Sequence, residues 1–207
     1  MNLEGAMLIG RIINKLPTPK NVLNIGSSTA KFRKIDQPYI DKYIFRLFRD
    51  NNVEITHLDI KEMKGVDIVA DISNNNFSLK EKYDLVICTN LLEHVSNVST
   101  TVSNISSCVN KNGYLIITVP YIFPYHPDPI DNLFRPHPNE LKSLFIDKKC
   151  IYEKVIIGQK NIFYRMKRDL ISLGRIILNK RYEAIYYNIK CCFLRKSRIT
   201  CLVFHAI

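Results

Sequence analysis

The stretch VLNIGSSTA, residues 22–30, is a short apolar run that ends in one glycine and several small residues. This composition is typical of a buried strand followed by a tight turn, and Gly26 can adopt the left-handed backbone that such a turn needs. In nucleotide-binding α/β folds, a turn of this kind follows the first strand and lies against the ligand. The stretch therefore predicts the first strand of such a sheet, although most of the usual glycines are missing.

Further apolar runs follow along the chain, and helical patterns separate several of them. The predicted strands after 21–26 are EITHLDI (54–60), VDIVADI (66–72), YDLVICTN (83–90), GYLIITVPY (113–121), EKVIIGQ (153–159) and RITCLVFHAI (198–207). The predicted helices lie in 37–51, 98–113 and 139–145. Strands that alternate with helices predict an α/β fold, here a Rossmann-like, mostly parallel seven-stranded sheet with helices on both faces. We expect one domain over residues 1–207.

The net charge of +11 is confined to one segment. Residues 1–147 carry equal numbers of basic and acidic side chains, whereas residues 148–198 carry 14 basic and 3 acidic ones. Within that segment, residues 163–197 combine apolar residues at helical spacing with basic flanks, which predicts a basic amphipathic helical insert before the last strand. Three interpretations stay open: an anionic membrane surface as partner, packing of the apolar stripe on the domain itself and, less favoured, nucleic acid.

The cysteines and the first residues bear on the compartment. The chain has six cysteines but no C-x-x-C pair and no cluster with histidine at metal-ligand spacing, so we predict reduced thiols and no metal site. The start of the chain lacks the pattern of a signal peptide, and no apolar run reaches the length of a membrane span. We expect a cytoplasmic protein, with the basic insert as a means of peripheral attachment to the inner face of the membrane.

Polar side chains stand at the carboxyl ends of three predicted strands, where ligands bind in sheets of this kind. The carboxylate of Asp59 is placed to accept hydrogen bonds from ribose hydroxyls, although it would equally cap a helix. Asp71 would accept from an adenine amino group and Ile72 would form an apolar wall beside the ring. Asn90 ends the next strand. Together with Gly26 these residues predict one nucleotide-type site.

The order of these motifs resembles that of class I S-adenosylmethionine-dependent methyltransferases. VLNIGSSTA, HLDI, DIVADI, YDLVICTNLLEHV and NGYLIITVPY follow one another in the family's order, and LLEHV is the most specific piece. The passage PYIFPYHPDPIDNLFRPHPNEL (120–141) is similar to a subgroup associated with bacterial cell-surface polysaccharide assembly. The resemblance implies S-adenosyl-L-methionine as cofactor, bound by Asn24, Gly26, Ser28, Asp59, Ile60, Asp71, Ile72 and Asn90.

The chain departs from the family pattern in the turn after the first strand. The family usually has an acidic residue before three alternating glycines, whereas this chain has Asn24, Gly26, Ser28 and Ala30 at the corresponding positions. The distance to Asp59 is also longer than usual, and we assign the extra length to a loop over residues 28–39 that would cover the cofactor. A relative that has lost cofactor affinity, and acts as a binding or scaffold protein, is therefore an alternative.

The candidate catalytic groups lie after the fourth and fifth strands, where the acceptor should bind. His126 is the first choice for a general base, since a histidine titrates near neutral pH, and Asp128 or Asp131 would orient it. His94 is the second choice. The alternatives are that His126 and Asp131 only tie the loop together, and that His94 starts a helix. Arg135 would bind a phosphate or carboxylate of the acceptor, or pair with Asp131.

These residues predict a methyltransferase acting on a sugar or related small polar group of a surface-polysaccharide or lipid-linked precursor. Enzymes that methylate nucleobase amino groups often carry Pro-Pro-aromatic after the residue corresponding to Asn90, whereas Leu-Leu-Glu stands here, which disfavours that chemistry. An RNA methyltransferase that uses the basic insert on phosphates is the alternative enzyme.

Overall fold

The computed structural model describes residues 1–158 and 197–206, and a single seven-stranded sheet organises them. The strands are β1 (Asn21–Ile25), β2 (Glu54–Asp59), β3 (Ile68–Val69), β4 (Tyr83–Thr89), β5 (Val109–Ile122), β6 (Lys148–Gly158) and β7 (Ser197–Ala206). The helices are α1 (Leu3–Ile13), α2 (Pro38–Ile40), α3 (Arg46–Arg49), α4 (Val98–Ser107) and α5 (Pro138–Ser143). π-helical turns span Phe32–Asp36 and Asp41–Phe45, and a 3₁₀ turn spans Leu92–His94.

The strand order is β3-β2-β1-β4-β5-β7-β6. The first five strands pair in parallel, and β1 lies between β2 and β4, with Val22 opposite both Ile55 and Leu85. β7 is antiparallel to β5 on one side and to β6 on the other. The predicted Rossmann-like, mostly parallel sheet is therefore confirmed. Its chain order reverses beside β1, which is where such sheets bind ligands.

Both faces of the sheet are covered, which explains why its strands are nearly continuous apolar runs. Successive residues of β1 point to opposite sides: Val22 packs in the layer of α1 and the 38–49 helices, and Leu23 in the layer of α4 and α5. Side chains such as Ile9 and Ile105 complete the two layers, and both are fully buried. This packing holds the carboxyl ends of the strands in fixed positions.

Three segments differ from the predictions. The strand predicted over 66–72 is limited to Ile68–Val69, because this edge strand pairs only with the last two residues of β2. The loop predicted over 28–39 is instead helical from Phe32 onward, because a π-helical turn there continues into α2. Residues 3–13, for which no element was predicted, form α1 and bury one side on the sheet.

The predicted basic insert, 163–197, lies outside the described residues except for Ser197. That residue pairs with Gly158 across the end of the β6–β7 ladder. Residues 159–196 therefore connect two neighbouring positions on one edge of the domain. Among the helices in the described part of the chain, none is long and apolar enough to cross a membrane.

Candidate active site

A cavity of about 520 Å³ opens at the carboxyl ends of β1, β2 and β4. This volume falls in the range of small-molecule sites. The predicted cofactor-binding residues line it together with three of the predicted catalytic ones: Asn24, Gly26, Ser28, Asp59, Ile60, Asp71, Ile72, Asn90, His94, His126 and Asp128. Asp131 and Arg135 are not among its lining residues.

The turn after β1 adopts left-handed backbone at two positions, and only one of them is a glycine. Gly26 has φ +66°, and a Cβ placed on it would lie 3.0 Å from the Leu91 side chain. Ser28 has φ +53°, which residues other than glycine rarely adopt. The Ser28 N–H donates to Asp59 Oδ2 at 2.7 Å, which ties the turn to the end of β2. The backbone therefore turns tightly after β1 although serine, and not glycine, stands at position 28.

Arg33 stabilises this turn from its buried side, a role that the sequence did not indicate. Its guanidinium donates to the carbonyl oxygens of Ser27 at 2.8 Å, Ser28 at 2.6 Å and Gly65 at 2.6 Å. Burial lowers the pKa of Arg33 from its ordinary value, while Asp67 and other nearby carboxylates oppose that shift. Nothing in the sequence separates Arg33 from its basic neighbours, because its partners are backbone carbonyl oxygens, which any donor side chain can bind.

Asn24 stands where the family has a carboxylate, and its side chain pairs within the protein. Its Nδ2 lies 3.1 Å from Nδ1 of His57 on β2. The amide donates, so the His57 imidazole accepts at Nδ1 and is neutral. Burial, with the charge of Arg33 as a second cause, lowers the pKa of His57 to about 4. Asn24 therefore joins β1 to β2 through a neutral hydrogen bond beside the cavity.

The polar groups at the other strand ends also have partners. Asp59 is 7% exposed, and its second oxygen accepts from the Lys61 N–H at 3.0 Å. Asp71 is exposed and accepts from the backbone and hydroxyl of Ser73. Asn90 has φ +52°, and its Oδ1 accepts from Thr118 Oγ1 at 2.6 Å. These bonds orient the three side chains around the cavity.

His126 is held by the proline-rich loop after β5. Its Nδ1 lies 2.9 Å from the Pro124 carbonyl oxygen, which can only accept, so Nδ1 carries the proton and Nε2 is free. Of the two carboxylates predicted to orient His126, Asp131 is the one that contacts it. Its Oδ2 accepts a hydrogen bond from the backbone N–H of His126 at 2.8 Å. Asp128 Oδ1 instead accepts a hydrogen bond from Lys61 Nζ at 3.3 Å, so its predicted orienting role stays a prediction.

Arg135 pairs with Asp131 inside the loop. The two side chains are fully buried, and Arg135 Nη2 donates to Asp131 Oδ2 at 2.7 Å. Burial alone would raise the pKa of Asp131, but the His126 hydrogen bonds and the Arg135 charge hold that pKa well below its usual range. Of the two predicted roles for Arg135, pairing with Asp131 is the one observed.

Glu93, in the LLEHV motif, is a further site residue to which the sequence assigned no role. Its carboxyl is completely buried, and its Oε1 lies 3.8 Å from His94 Nε2 and 4.0 Å from His126 Nε2. Burial raises the pKa of Glu93 to about 8. The 3₁₀ turn that carries it is fixed by Asn132, whose amide donates to the carbonyl oxygens of Leu92 and Val95 at 2.8 Å.

The strand order and the cavity beside β1 define an α/β protein that binds its ligand at the point where the chain order of a parallel sheet reverses. A family model described as "Methyltransferase domain" matches residues 5–147. The chain belongs to this methyltransferase family. The predicted S-adenosylmethionine-dependent methyltransferase is thereby confirmed, with S-adenosylmethionine as its cofactor. The similarity to a polysaccharide subgroup is not part of this match and stays a prediction.

Solved structures share the fold at low sequence identity. Coclaurine N-methyltransferase, bound to N-methylheliamine and S-adenosylhomocysteine (SAH), is 15% identical with a TM-score of 0.59, covering 98% of this chain and 72% of its own. N-methyltransferase NodS from Bradyrhizobium japonicum is 12% identical with a TM-score of 0.57, and the match covers 98% of this chain and 86% of NodS. An O-methyltransferase from a Brevibacillus brevis multienzyme is 12% identical with a TM-score of 0.55, and the match covers 97% of this chain and 72% of the O-methyltransferase. None of the curated proteins compared matches the chain in sequence.

Proposed function

We propose that this methyltransferase transfers the methyl group of S-adenosylmethionine to a hydroxyl of a sugar, or a related small polar group, on a surface-polysaccharide or lipid-linked precursor. The observation that carries the proposal is the composition of the cavity. The glycine turn and the polar strand ends line it, and so do His94 and His126. A nucleotide-type group and a polar acceptor can thus bind side by side.

For the cofactor, we assign the turn at Gly26 and Ser28 to the methionine part and Asp59 to the ribose hydroxyls. Both oxygens of Asp59 already accept a backbone N–H, but a carboxylate has about four acceptor positions. Its remaining positions suit a pair of hydroxyl donors. Asp71, with Ile72 beside it, is assigned to the adenine, and Asn24, Ile60 and Asn90 complete the wall around it.

For the chemistry, we assign the proton transfer to His126. S-adenosylmethionine supplies an electrophilic methyl group on a positively charged sulfur. The acceptor oxygen attacks the methyl carbon in line with the carbon–sulfur bond, which breaks, and the hydroxyl proton passes to His126 Nε2. The nearby Asp131 carboxylate, 3.4 Å from Nδ1, stabilises the imidazolium that forms. His94, whose Nδ1 lies 2.7 Å from the Ile130 carbonyl oxygen, is the second candidate.

The test is a screen with methyl-labelled cofactor against monosaccharides, nucleotide sugars and lipid-linked saccharides. We expect label transfer to a saccharide hydroxyl. Replacing His126 with Gln should lower kcat by about 10²–10⁴-fold while cofactor affinity is retained. His205→Gln is the matched control, because His205 stacks on Tyr114 in the sheet and is not part of the cavity lining. Transfer to RNA alone, or normal turnover in His126→Gln, would contradict the proposal.

We further propose that the basic segment brings the protein to an anionic membrane surface at the cytoplasmic face. The support is its 14 basic residues against 3 acidic ones in 148–198. In a liposome flotation assay, we expect the protein to float with vesicles that contain anionic lipid and to be released by about 0.5 M salt, since salt screens such attraction. A variant with Arg165, Lys167 and Arg168 changed to Gln should float less. Equal flotation with neutral vesicles would contradict this proposal.

A further inference from the structure

The Glu93 carboxyl lies in a buried position where a carboxyl group lowers the stability of the fold. It is completely buried, and neither of its oxygens has a hydrogen-bond partner among the described residues. A buried polar group without a partner costs free energy, and a buried charge without one costs far more. Packing gives no reason for an acid at this position, because an apolar side chain would fill the same space. A ligand that binds a carboxylate would remove the cost.

Two imidazoles face the same point. His94 Nε2 and His126 Nε2 lie 3.8 Å and 4.0 Å from Glu93 Oε1, and the three groups offer ligand atoms that all lie within 4.8 Å of one another. The rings are perpendicular, with centroids 5.0 Å apart. They come from different segments, the 3₁₀ turn after β4 and the loop after β5, so the fold rather than local sequence brings them together.

Both imidazole rings are oriented as a metal ligand requires. Nδ1 of His94 donates to the Ile130 carbonyl oxygen at 2.7 Å, and Nδ1 of His126 donates to that of Pro124 at 2.9 Å. In each ring, Nε2 is therefore the nitrogen that faces Glu93. Histidines that bind metals usually donate their other ring N–H to a carbonyl or carboxylate, which fixes the tautomer and the direction of the ring. Both histidines have this second partner.

We propose that Glu93, His94 and His126 together bind one divalent transition-metal ion such as Zn²⁺. Two imidazole nitrogens and one carboxylate form a known donor set for such ions, with positions left for water or substrate. Bonds of about 2.1 Å place neighbouring ligand atoms of a tetrahedral site about 3.4 Å apart. The separations of 3.8 Å and 4.0 Å from Glu93 exceed this by about half an ångström, and the bound of 4.8 Å for all three pairs limits the contraction of the widest pair to about 1.4 Å.

The ion would lie in the wall of the cavity. His94 and His126 line the cavity, and Glu93 lies behind them. The binding site itself does not depend on the proposed acceptor. One consequence does rest on the proposed function: with Nε2 of His126 bound to the ion, His126 would no longer accept the proton of the acceptor hydroxyl. The ion would instead lower the pKa of that hydroxyl, and the proton would pass to solvent water. Methyl transfer would then be inhibited by chelators.

The test measures metal binding directly, with neither cofactor nor acceptor present. The full chain is treated with EDTA, dialysed and titrated with Zn²⁺ in a calorimeter. We expect one equivalent to bind, and Glu93→Gln, His94→Gln and His126→Gln each to lower the affinity at least about 100-fold. His205→Gln should bind Zn²⁺ as the wild type does. Circular dichroism verifies that each variant is folded, and His94 and His126 are partly exposed, so their replacement does not open the core.

Co²⁺ in place of Zn²⁺ identifies the ligand type, because the chain also has cysteines. Nitrogen and oxygen ligands give visible bands alone, whereas thiolates add intense near-ultraviolet bands. Visible bands that disappear in the three variants support the proposal. No Zn²⁺ binding at millimolar concentration, binding that the three variants leave unchanged, or a thiolate spectrum would overturn it. Since no methyl transfer is measured, a failure of the proposed acceptor would not affect this result.

Discussion

At the residue scale, the turn after β1 has left-handed backbone at Gly26. Its φ is +66°, and a Cβ at this position would stand 3.0 Å from the Leu91 side chain, which would have to shift by a few tenths of an ångström. Ser28 also has left-handed backbone, at φ +53°, yet its side chain is accommodated. Glycine therefore stands where both the backbone and the packing favour it, and serine stands where only the backbone would favour glycine.

Replacing Gly26 with Ala should lower the free energy of unfolding by about 1–2 kcal/mol, because alanine is strained in left-handed backbone. Cofactor affinity should fall at least about tenfold, which is about 1.4 kcal/mol. Ser28→Gly is the matched control: relief of its strain and the greater entropy of unfolded glycine oppose each other, so stability should change by less than about 1 kcal/mol. Urea unfolding and cofactor calorimetry measure both. Wild-type affinity in Gly26→Ala would contradict the assignment of the turn.

His57 should make stability depend on pH. Its pKa is lowered to about 4 by burial and by the charge of Arg33, whereas an unfolded histidine titrates near 6.5. Between these values the unfolded chain binds a proton that the folded chain does not, so stability rises with pH from about 4 to 6.5, by at most about 1.4 kcal/mol per pH unit. Urea unfolding of His57→Gln should show a shallower rise over that window. An identical pH profile would rule out this contribution.

At the element scale, side chains from neighbouring elements fix two turns beside the cavity. The π-helical turn Phe32–Asp36 supplies Arg33, which donates to three carbonyl oxygens of the glycine turn and the loop before β3. The loop after β5 supplies Asn132, which donates to two carbonyl oxygens around the 3₁₀ turn. Each side chain supplies hydrogen-bond donors to backbone carbonyl oxygens of these turns. The site is therefore held by these contacts between elements.

Arg33→Met should destabilise the protein by about 2–4 kcal/mol, because it removes three hydrogen bonds, one of them to the buried Ser27 carbonyl oxygen. It should also weaken cofactor binding, since two of the three accepting carbonyls belong to Ser27 and Ser28. Lys34→Met is the matched control, because Lys34 is the next residue and its side chain is exposed. This substitution should change the free energy of unfolding by less than about 0.5 kcal/mol. Thermal unfolding and cofactor calorimetry are the measurements. Equal effects of the two variants would contradict the role of Arg33.

Asn132→Ala should loosen the 3₁₀ turn that carries Glu93 and His94. The loss of two hydrogen bonds of 2.8 Å should cost about 1–3 kcal/mol and speed hydrogen exchange of the His94 amide, which donates to the Leu91 carbonyl oxygen. Cofactor affinity should change little. Asn139→Ala, at an exposed position of α5, is the control. Unchanged exchange at His94 would show that the turn is stable without Asn132.

At the scale of the whole molecule, the cavity joins parts of the chain that are far apart in sequence. Its lining runs from Met1 beside α1 to Ile199 on β7, by way of the ends of β1, β2 and β4. A ligand that fills it contacts both packing layers of the sheet. Binding should therefore stabilise the domain as one unit.

S-adenosylmethionine at 100 times its dissociation constant should add about 2.7 kcal/mol to the free energy of unfolding. For a chain of this size, that corresponds to a rise in Tm of roughly 5–10 °C. ATP at the same concentration is the control, because it carries adenosine without the methionine part. Asp59→Ala should reduce the shift by weakening the ribose contact. No rise in Tm at saturating cofactor would contradict cofactor binding by the folded chain.

The sequence by itself determined the sheet, the turn at Gly26 and the residues at the strand ends. It could do so because strands buried on both faces leave unbroken apolar runs, and polar residues directly after such runs stand at the ligand-binding edge. Only the tertiary structure decided the places of Arg33, Asn132 and Glu93 and the insertion of β7 between β5 and β6. Many of their partners are far along the chain, such as Gly65 for Arg33 and Leu92 for Asn132, and no local pattern encodes contacts that form only when the whole domain packs.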